Sequence, residues 1–346
     1  MGLRILIPID PFLPVPPPQY GGVERIVGGL LAELRRQGYE AGLVAHPDSA
    51  AAADFFMAWP DAPPNSAAAH IRNALALQTA VKRFRPSIIH SFSRLLYLAP
   101  LLPRRIPKIM SYQRFAGGRQ ISLAALVGGS SLMFTGCSKF IATMGGKYGG
   151  AWYAIPNFVD TDFYEFKSSA PDDAPLVFLS RVEREKGAHW AIEIAKKTGR
   201  RLLIAGNYAD EGPQRPYWDH TIKPELGNNG IEYVGTVGDE AKRQLLGSAA
   251  AMVVPIQWDE PFGIVFAEAL ACGTPVITCP RGAVPEIIRD GIEGFLIRDV
   301  SEGCRAVHRL GTIDRWLCRE RAEQAFSVAA VVPQYEALYE ELLQRA

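Results

Sequence analysis

Apolar residues fall in two rhythms along this chain of 346 residues. Short unbroken runs read as strands: "RILIPI", "AGLVAH", "SIIHSF", "KIMSY", "LMFTG" and "WYAIP" in the first half, then "LVFLS", "RLLIAG", "IEYVG", "AMVVP" and "PVITCP". Their apolar residues follow one another instead of alternating, as in parallel strands covered on both faces. Between them apolar positions recur at helical spacing. In residues 23–37, Val23, Ile26, Val27, Leu30, Leu31 and Leu34 share one face, and Gly38 supplies the stop. Strand–helix alternation of this kind predicts doubly wound parallel α/β sheets, and the chain passes through it twice.

The rhythm breaks at "NFVDTDFYEFKSSAPDDAP", from Asn157 to Pro175, which is polar, rich in turn residues and without helical period. Two Rossmann-like domains are therefore expected, residues 1–165 and 166–327, a division that the length also favours. A terminal amphipathic helix at 328–346 follows the second sheet and is expected to cross back to the first. Ligands of open α/β sheets bind beyond the carboxyl ends of the strands, so two such sheets facing each other predict a cleft between lobes.

Composition narrows the class. Hydrophobic residues make up 48% and charged residues 21%, as in ordinary soluble proteins. No apolar run approaches the ~20 residues that span a bilayer, and no basic-then-apolar leader opens the sequence. The cysteines (Cys137, Cys272, Cys279, Cys304, Cys318) are odd in number and lack C-x-x-C spacing, which suits a reducing cytoplasm better than a disulfide framework or a zinc site. The net charge of +1 is unevenly spread. Residues 1–165 hold 16 Lys+Arg against 10 Asp+Glu, or +6, and the remainder 21 against 26, or −5. The clusters "KRFR" and "PRRIPK" form no long basic helix face, so solvated loops and helix ends are the expected reading. The sharper alternative is a basic lobe meeting an anionic acceptor or making a peripheral contact with the inner membrane face. No nucleic-acid partner is expected.

The strongest chemical signal is "WDEPFGIVFAEALACGTPVI", with Glu260 and Glu268 separated by seven residues. It follows strand "AMVVP", and a helix is predicted from near Gly263. The N–H groups of Phe262, Gly263 and Ile264 would then sit at a helix N-terminus worth about half a positive charge, where a phosphate binds. Glu268, one turn further on, can accept from ribose hydroxyls, and Glu260 from a second sugar. Taken singly each Glu is better read as a capping or loop acid. In "FLSRVEREKGAHWAI", Arg181 follows a strand and Lys186 precedes a helix, so two cations can balance a diphosphate without metal. The opening loop "PIDPFLPVPPPQYGGVER" carries Gly21-Gly22 ahead of a helix but no G-x-G-x-x-G fingerprint, which disfavours a Rossmann dehydrogenase.

These strings, with "CSKFIATMGGKYG", "IPNFVD", "YVGTVGDEAKRQLLGSAAAMVVP" and "GAVPEIIRDGIEGFL", resemble the family-4 retaining glycosyltransferases of GT-B fold (glycosyl transferases group 1) across almost the whole chain. The resemblance implies two Rossmann-like domains facing across a cleft. It implies a nucleotide-diphosphate sugar as donor, UDP or GDP as the carrier, a sugar or glycan hydroxyl as acceptor, and no metal or other cofactor. Arg181 and Lys186 would bind the diphosphate and Glu268 the ribose. Glu260 and the backbone of Phe262 to Ile264 would hold the sugar and phosphate. Val237 would meet the base through its backbone, and Gly21-Gly22 would close on the diphosphate from the other lobe. Gln113 in "IMSYQRF" stands where most of the family carries a histidine against the donor sugar, and Phe158 replaces the glycine of the usual "NGVD". "DTD", Asp160 to Asp162, imitates a metal-binding D-x-D but follows "IPN" and is read as an interdomain turn. His90, at the end of "SIIH", is read first as a structural histidine and secondly as an acceptor-side contact. The rivals are a nucleotide-sugar epimerase or hydrolase on the same fold and a non-catalytic nucleotide-sugar-binding protein.

Overall fold

A computed structural model describes residues 2–18, 21–115 and 117–345, so Tyr20 of "YGGVER" lies outside the described residues. The chain divides into one unit of Met1–Asn157 with Val328–Ala346 and a second of Phe158–Ser327. The division falls at 157/158, not at 165/166, because the polar stretch after Asn157 is already tied to the second unit. Val159 N–H donates to the Phe326 carbonyl at 2.7 Å, and Tyr164 is buried.

Among the described residues the first unit carries a seven-stranded sheet: β1 (Arg4–Pro8), β2 (Glu40–Ala45), β3 (Phe55–Ala58), β4 (Ile88–Ser91), β5 (Lys108–Tyr112), β6 (Leu132–Gly136) and β7 (Ala151–Ala154). The order is β3-β2-β1-β4-β5-β6-β7 and every pairing is parallel. The second unit has six strands: β8 (Leu176–Leu179), β9 (Leu202–Ala205), β10 (Ile231–Gly235), β11 (Ala251–Val254), β12 (Val276–Thr278) and β13 (Gly294–Leu296). Their order is β10-β9-β8-β11-β12-β13, again parallel throughout. These are the two doubly wound, Rossmann-like sheets of a GT-B fold. β3 and β13, absent from the sequence reading, are both edge strands.

The helices of eight or more residues that matter here follow in chain order. In the first unit α1 (Gly22–Arg36) buries Ile26, Val27, Leu30, Leu31 and Leu34, and α2 (Ala67–Phe84) is capped by the Ser66 side chain accepting from Ala69 N–H. α3 (Arg119–Gly128) and α4 (Lys139–Gly146) flank β6 in sequence. The second unit has α5 (Ala188–Thr198), α6 (Asp239–Ser248), α7 (Ile264–Ala271), α8 (Val300–His308) and α9 (Arg315–Phe326). The last helix, α10 (Val328–Arg345), belongs to the first unit, where Tyr335, Tyr339 and Leu342 are buried. In each sheet the strand order reverses at one place, between β1 and β4 and between β8 and β11, and the loops leaving those strands border the crevice where such sheets take ligands.

Candidate functional site

In the second unit the loop leaving β8 carries Arg181 and Lys186. Two glycines bring this loop hard against its neighbours. A Cβ on Gly206 would lie 1.9 Å from the Ser180 carbonyl, and one on Gly187 would lie 2.1 Å from that of Pro255. Arg181 is ion-paired to Glu183 and about one-third exposed. Lys186 closes a short 3₁₀ turn and is buried. Its Nζ donates to Glu260 Oε2 at 2.8 Å and stands 4.3 Å over the Trp258 ring. The Trp258 indole N–H donates to that same oxygen at 2.9 Å.

The loop leaving β11 runs from Pro255 into α7. Gly263 takes φ 84°, in the left-handed region, and no side chain caps the helix, so the N–H groups of its first turn point out of the helix end. The Phe262 ring is buried edge-on to Phe326 at 5.6 Å, which leaves only its backbone for a ligand. The Glu260 backbone is clamped, since Ala283 N–H donates to its carbonyl at 2.8 Å and a Cβ on Gly282 would lie 2.4 Å from that oxygen. Lys186, Glu260 and the start of α7 are thus gathered at the switch point between β8 and β11.

Glu268 sits in the second turn of α7, buried, with a different set of partners. Its Oε1 accepts from the Tyr164 hydroxyl at 2.7 Å and is ion-paired to Lys242 Nζ, which also lies 3.3 Å from Asp239. Burial first, and then the Glu268 charge, push the Tyr164 phenol far above its ordinary value, so it remains a neutral donor. Val237 lies in the turn between β10 and α6, half-buried. The Asp160 carboxylate accepts from the N–H groups of Asp162 and Phe163, both at 3.1 Å, so its Oδ1 is used in holding a turn.

In the first unit Gly21 precedes α1 with φ 148°, and a Cβ there would lie 2.7 Å from Pro17 and 2.8 Å from Glu24 Oε2. Gly22 is the first residue of that helix. Gln113 leaves β5 half-buried, and its Oε1 is buried with no hydrogen-bond partner. Nearby in sequence Arg114 pairs with Asp10 at 3.1 Å. Burial raises the Asp10 carboxyl against the opposing pull of Arg114 and Arg94, and raises that of Glu24 as well. The acceptor-side reading of His90 is corrected. β4 runs one residue past it, and its ring is fully buried, with Nδ1 2.7 Å from the Tyr339 hydroxyl and Nε2 2.7 Å from Ser111 Oγ. Burial drives its pKa down to about 3, which keeps the ring neutral. It is a structural histidine beneath α10.

Three side chains of the second-unit site escaped the sequence reading: Trp258, Tyr164 and Lys242. Trp258 and Lys242 lie inside the quoted motifs, yet neither residue type at its spacing announces a partner. Tyr164 is 104 positions from Glu268, and only the fold joins them.

Residues 20–163 match the family described as Glycosyltransferase Family 4, and residues 160–303 that described as Glycosyl transferases group 1. A D-inositol 3-phosphate glycosyltransferase of Mycobacterium marinum is 30% identical over 145 residues, 40% of this chain and 31% of that protein. The chain spans about a third of the length of the curated relatives it matches, 32% for an uncharacterised glycosyltransferase of Methanocaldococcus jannaschii. A glycosyltransferase involved in avilamycin A biosynthesis superposes with a TM-score of 0.77 at 24% identity, covering 99% of each chain. The Anabaena protein HepE in complex with UDP and glucose superposes at 0.76 with 18% identity, covering 98% of this chain and 99% of that one. The two adjoining matches, together residues 20–303, fall on two parallel Rossmann-like sheets of GT-B fold and make the chain similar to the group 1 glycosyltransferases.

Proposed function

We propose that the protein is a retaining glycosyltransferase that moves a sugar from a nucleotide-diphosphate sugar, with UDP or GDP as carrier, to a hydroxyl acceptor without a metal. The observation that carries this reading is the grouping at the second switch point: Lys186 2.8 Å from Glu260, beside the uncapped start of α7. Arg181, Lys186 and the α7 N–H groups balance the diphosphate as it leaves, which is where charge builds in the transition state. Glu260 and Gln113 accept from or donate to the donor sugar, Glu268 takes the ribose, and the Val237 backbone the base. The Gly21-Gly22 turn meets the diphosphate.

The acceptor hydroxyl attacks the anomeric carbon on the face from which the nucleotide departs. The bond from carbon to phosphate oxygen breaks, the new glycosidic bond forms, and the hydroxyl proton passes to the leaving phosphate oxygen. No protein carboxylate is needed as nucleophile. The likeness to the Anabaena protein HepE, which is found in complex with UDP-glucose, supports the donor class. A cytoplasmic location fits this donor.

The test is incubation with a panel of UDP-, GDP- and ADP-sugars, following nucleoside diphosphate release and the anomeric configuration of the product. Release with configuration retained is expected. An inverted product overturns the retaining step, free sugar without an acceptor points to a hydrolase or epimerase, and silence across the panel overturns the transferase reading.

A further inference from the structure

Helix α3 has two apolar faces, and only one of them is covered. Ile121, Ala124 and Gly128 are buried against the first unit. Leu123, Leu126 and Val127, spaced to share the opposite face, are 61%, 81% and 42% exposed. Phe115, just ahead of the helix, is 54% exposed, and its ring flanks Gly117, where a Cβ would meet it at 2.9 Å. An outward cluster of this kind on one short helix marks a surface that meets something apolar.

Charge says what. From residue 62 to residue 159 the chain holds 12 Lys and Arg and no Asp or Glu at all. Arg119 opens α3. Lys147 lies in the segment tied to α3 where Ser122 Oγ donates to the carbonyl of the next residue, Tyr148, at 2.8 Å. Arg114 lies three residues before Gly117 and is largely exposed, paired with Asp10 at 3.1 Å. The outward leucines therefore stand in a segment that carries cations and no carboxylate of its own. A second copy of this chain would bring the same positive segment against itself, so a self-interface is electrostatically disfavoured.

We infer that the outer face of α3, with Phe115, docks on an anionic lipid surface, Leu123, Leu126 and Val127 entering the headgroup–acyl boundary while Arg119 and Lys147 meet lipid phosphates. A short helix lying in the interface gains from its buried apolar side chains and from attraction to anionic headgroups, and neither alone holds it firmly. The docking is reversible and weakens with salt.

Co-sedimentation with vesicles tests this, using phosphatidylcholine alone or with phosphatidylglycerol at about one part in three. The wild-type chain sediments with the anionic vesicles only, and raising salt from about 0.15 M to about 1 M releases it. Leu123→Gln/Leu126→Gln lowers partitioning about tenfold or more at unchanged melting temperature, since both side chains leave solvent only on docking. Arg119→Gln and Lys147→Gln each lower it about fivefold and flatten the salt dependence. These charge variants keep the test alive if the leucine variant misfolds. Wild-type protein left in the supernatant, equal binding to both vesicle types, or leucine variants that sediment like wild type would overturn the inference. So would a wild-type dimer in gel filtration that the leucine changes turn into monomer, which would make this face a contact between copies.

Discussion

Replacing Lys186 by methionine keeps the stem and deletes the charge, and two consequences can be separated. The ammonium is 2.8 Å from Glu260 Oε2, with side-chain exposures of 9% and 14% for the pair. Removing one partner of a buried pair costs ~3–5 kcal/mol. Glu260 keeps the Trp258 N–H bond, so the lower end, ~3 kcal/mol, is expected here. For a domain of this size that lowers Tm by about 6–12 °C. Lys186→Met/Glu260→Gln removes the stranded charge and recovers most of that loss. The catalytic consequence does not recover. Losing a charge-assisted contact to a departing diphosphate costs ~2–4 kcal/mol in the transition state, a factor of about 30 to 1000 in turnover. The measurements are a melting curve, calorimetry with UDP and GDP, and nucleoside diphosphate release for wild type, both single variants and the double. If activity returned with stability in the double variant, or if Lys186→Met turned over normally, Lys186 would be structural only.

His90 is held neutral at about 3, well below its ordinary 6.5, so protonation favours the unfolded chain. The stability this adds is full above pH 6.5 and is lost as pH falls towards 3, by ~1.4 kcal/mol per pH unit; His90→Asn should show a visibly shallower loss between pH 6 and pH 4. Gly21→Ala meets both a φ of 148° and contacts under 3 Å, so thermal stability should fall by ~1–3 kcal/mol and activity with it. Gly22→Val, one residue on, should keep nucleotide affinity within a few-fold in calorimetry while kcat drops strongly; an unchanged kcat retires its role at the diphosphate. Activity of purified protein should survive EDTA, and loss that added metal restores would reopen the case of Asp160 and Asp162.

The central strands were legible because each is an apolar run buried on both faces, as in β8, where all four residues are buried. β3 fails that criterion. Its four residues are half-buried or exposed, as an edge allows, and its "FFMA" follows an alanine-rich stretch without turn punctuation. β13 is three residues long and passes for loop. At the site, Glu260 and the start of α7 could be foreseen because chain-local signals suffice: a strand, a glycine, then a helix. The pairings of Lys242 with Glu268 and of Trp258 with Lys186 could not, since they depend on which loops the sheet order makes neighbours. The first reading of His90, as structural, agrees with its burial, but its partners could not be foreseen for the same reason. Tyr335 and Tyr339 pack on it from the far end of the chain, with Tyr339 lying 249 positions later.

That last helix has a bearing on how the protein is made. The first unit is discontinuous, interrupted after Asn157 by the whole of the second and completed only by Val328 onward. A ribosome adding about 5–20 residues per second needs roughly 10–40 s to pass from Asn157 to the end of α10. For that interval the seven-stranded sheet exists as chain but without α10. The His90–Ser111–Thr135 hydroxyl and imidazole cluster, with Ser111 Oγ 2.6 Å from Thr135 Oγ1, lacks Tyr339 as partner. The second unit is one uninterrupted segment and can fold as it emerges. The part made first is therefore the part finished last, and the nascent protein is most exposed to aggregation and proteolysis on its amino-terminal half.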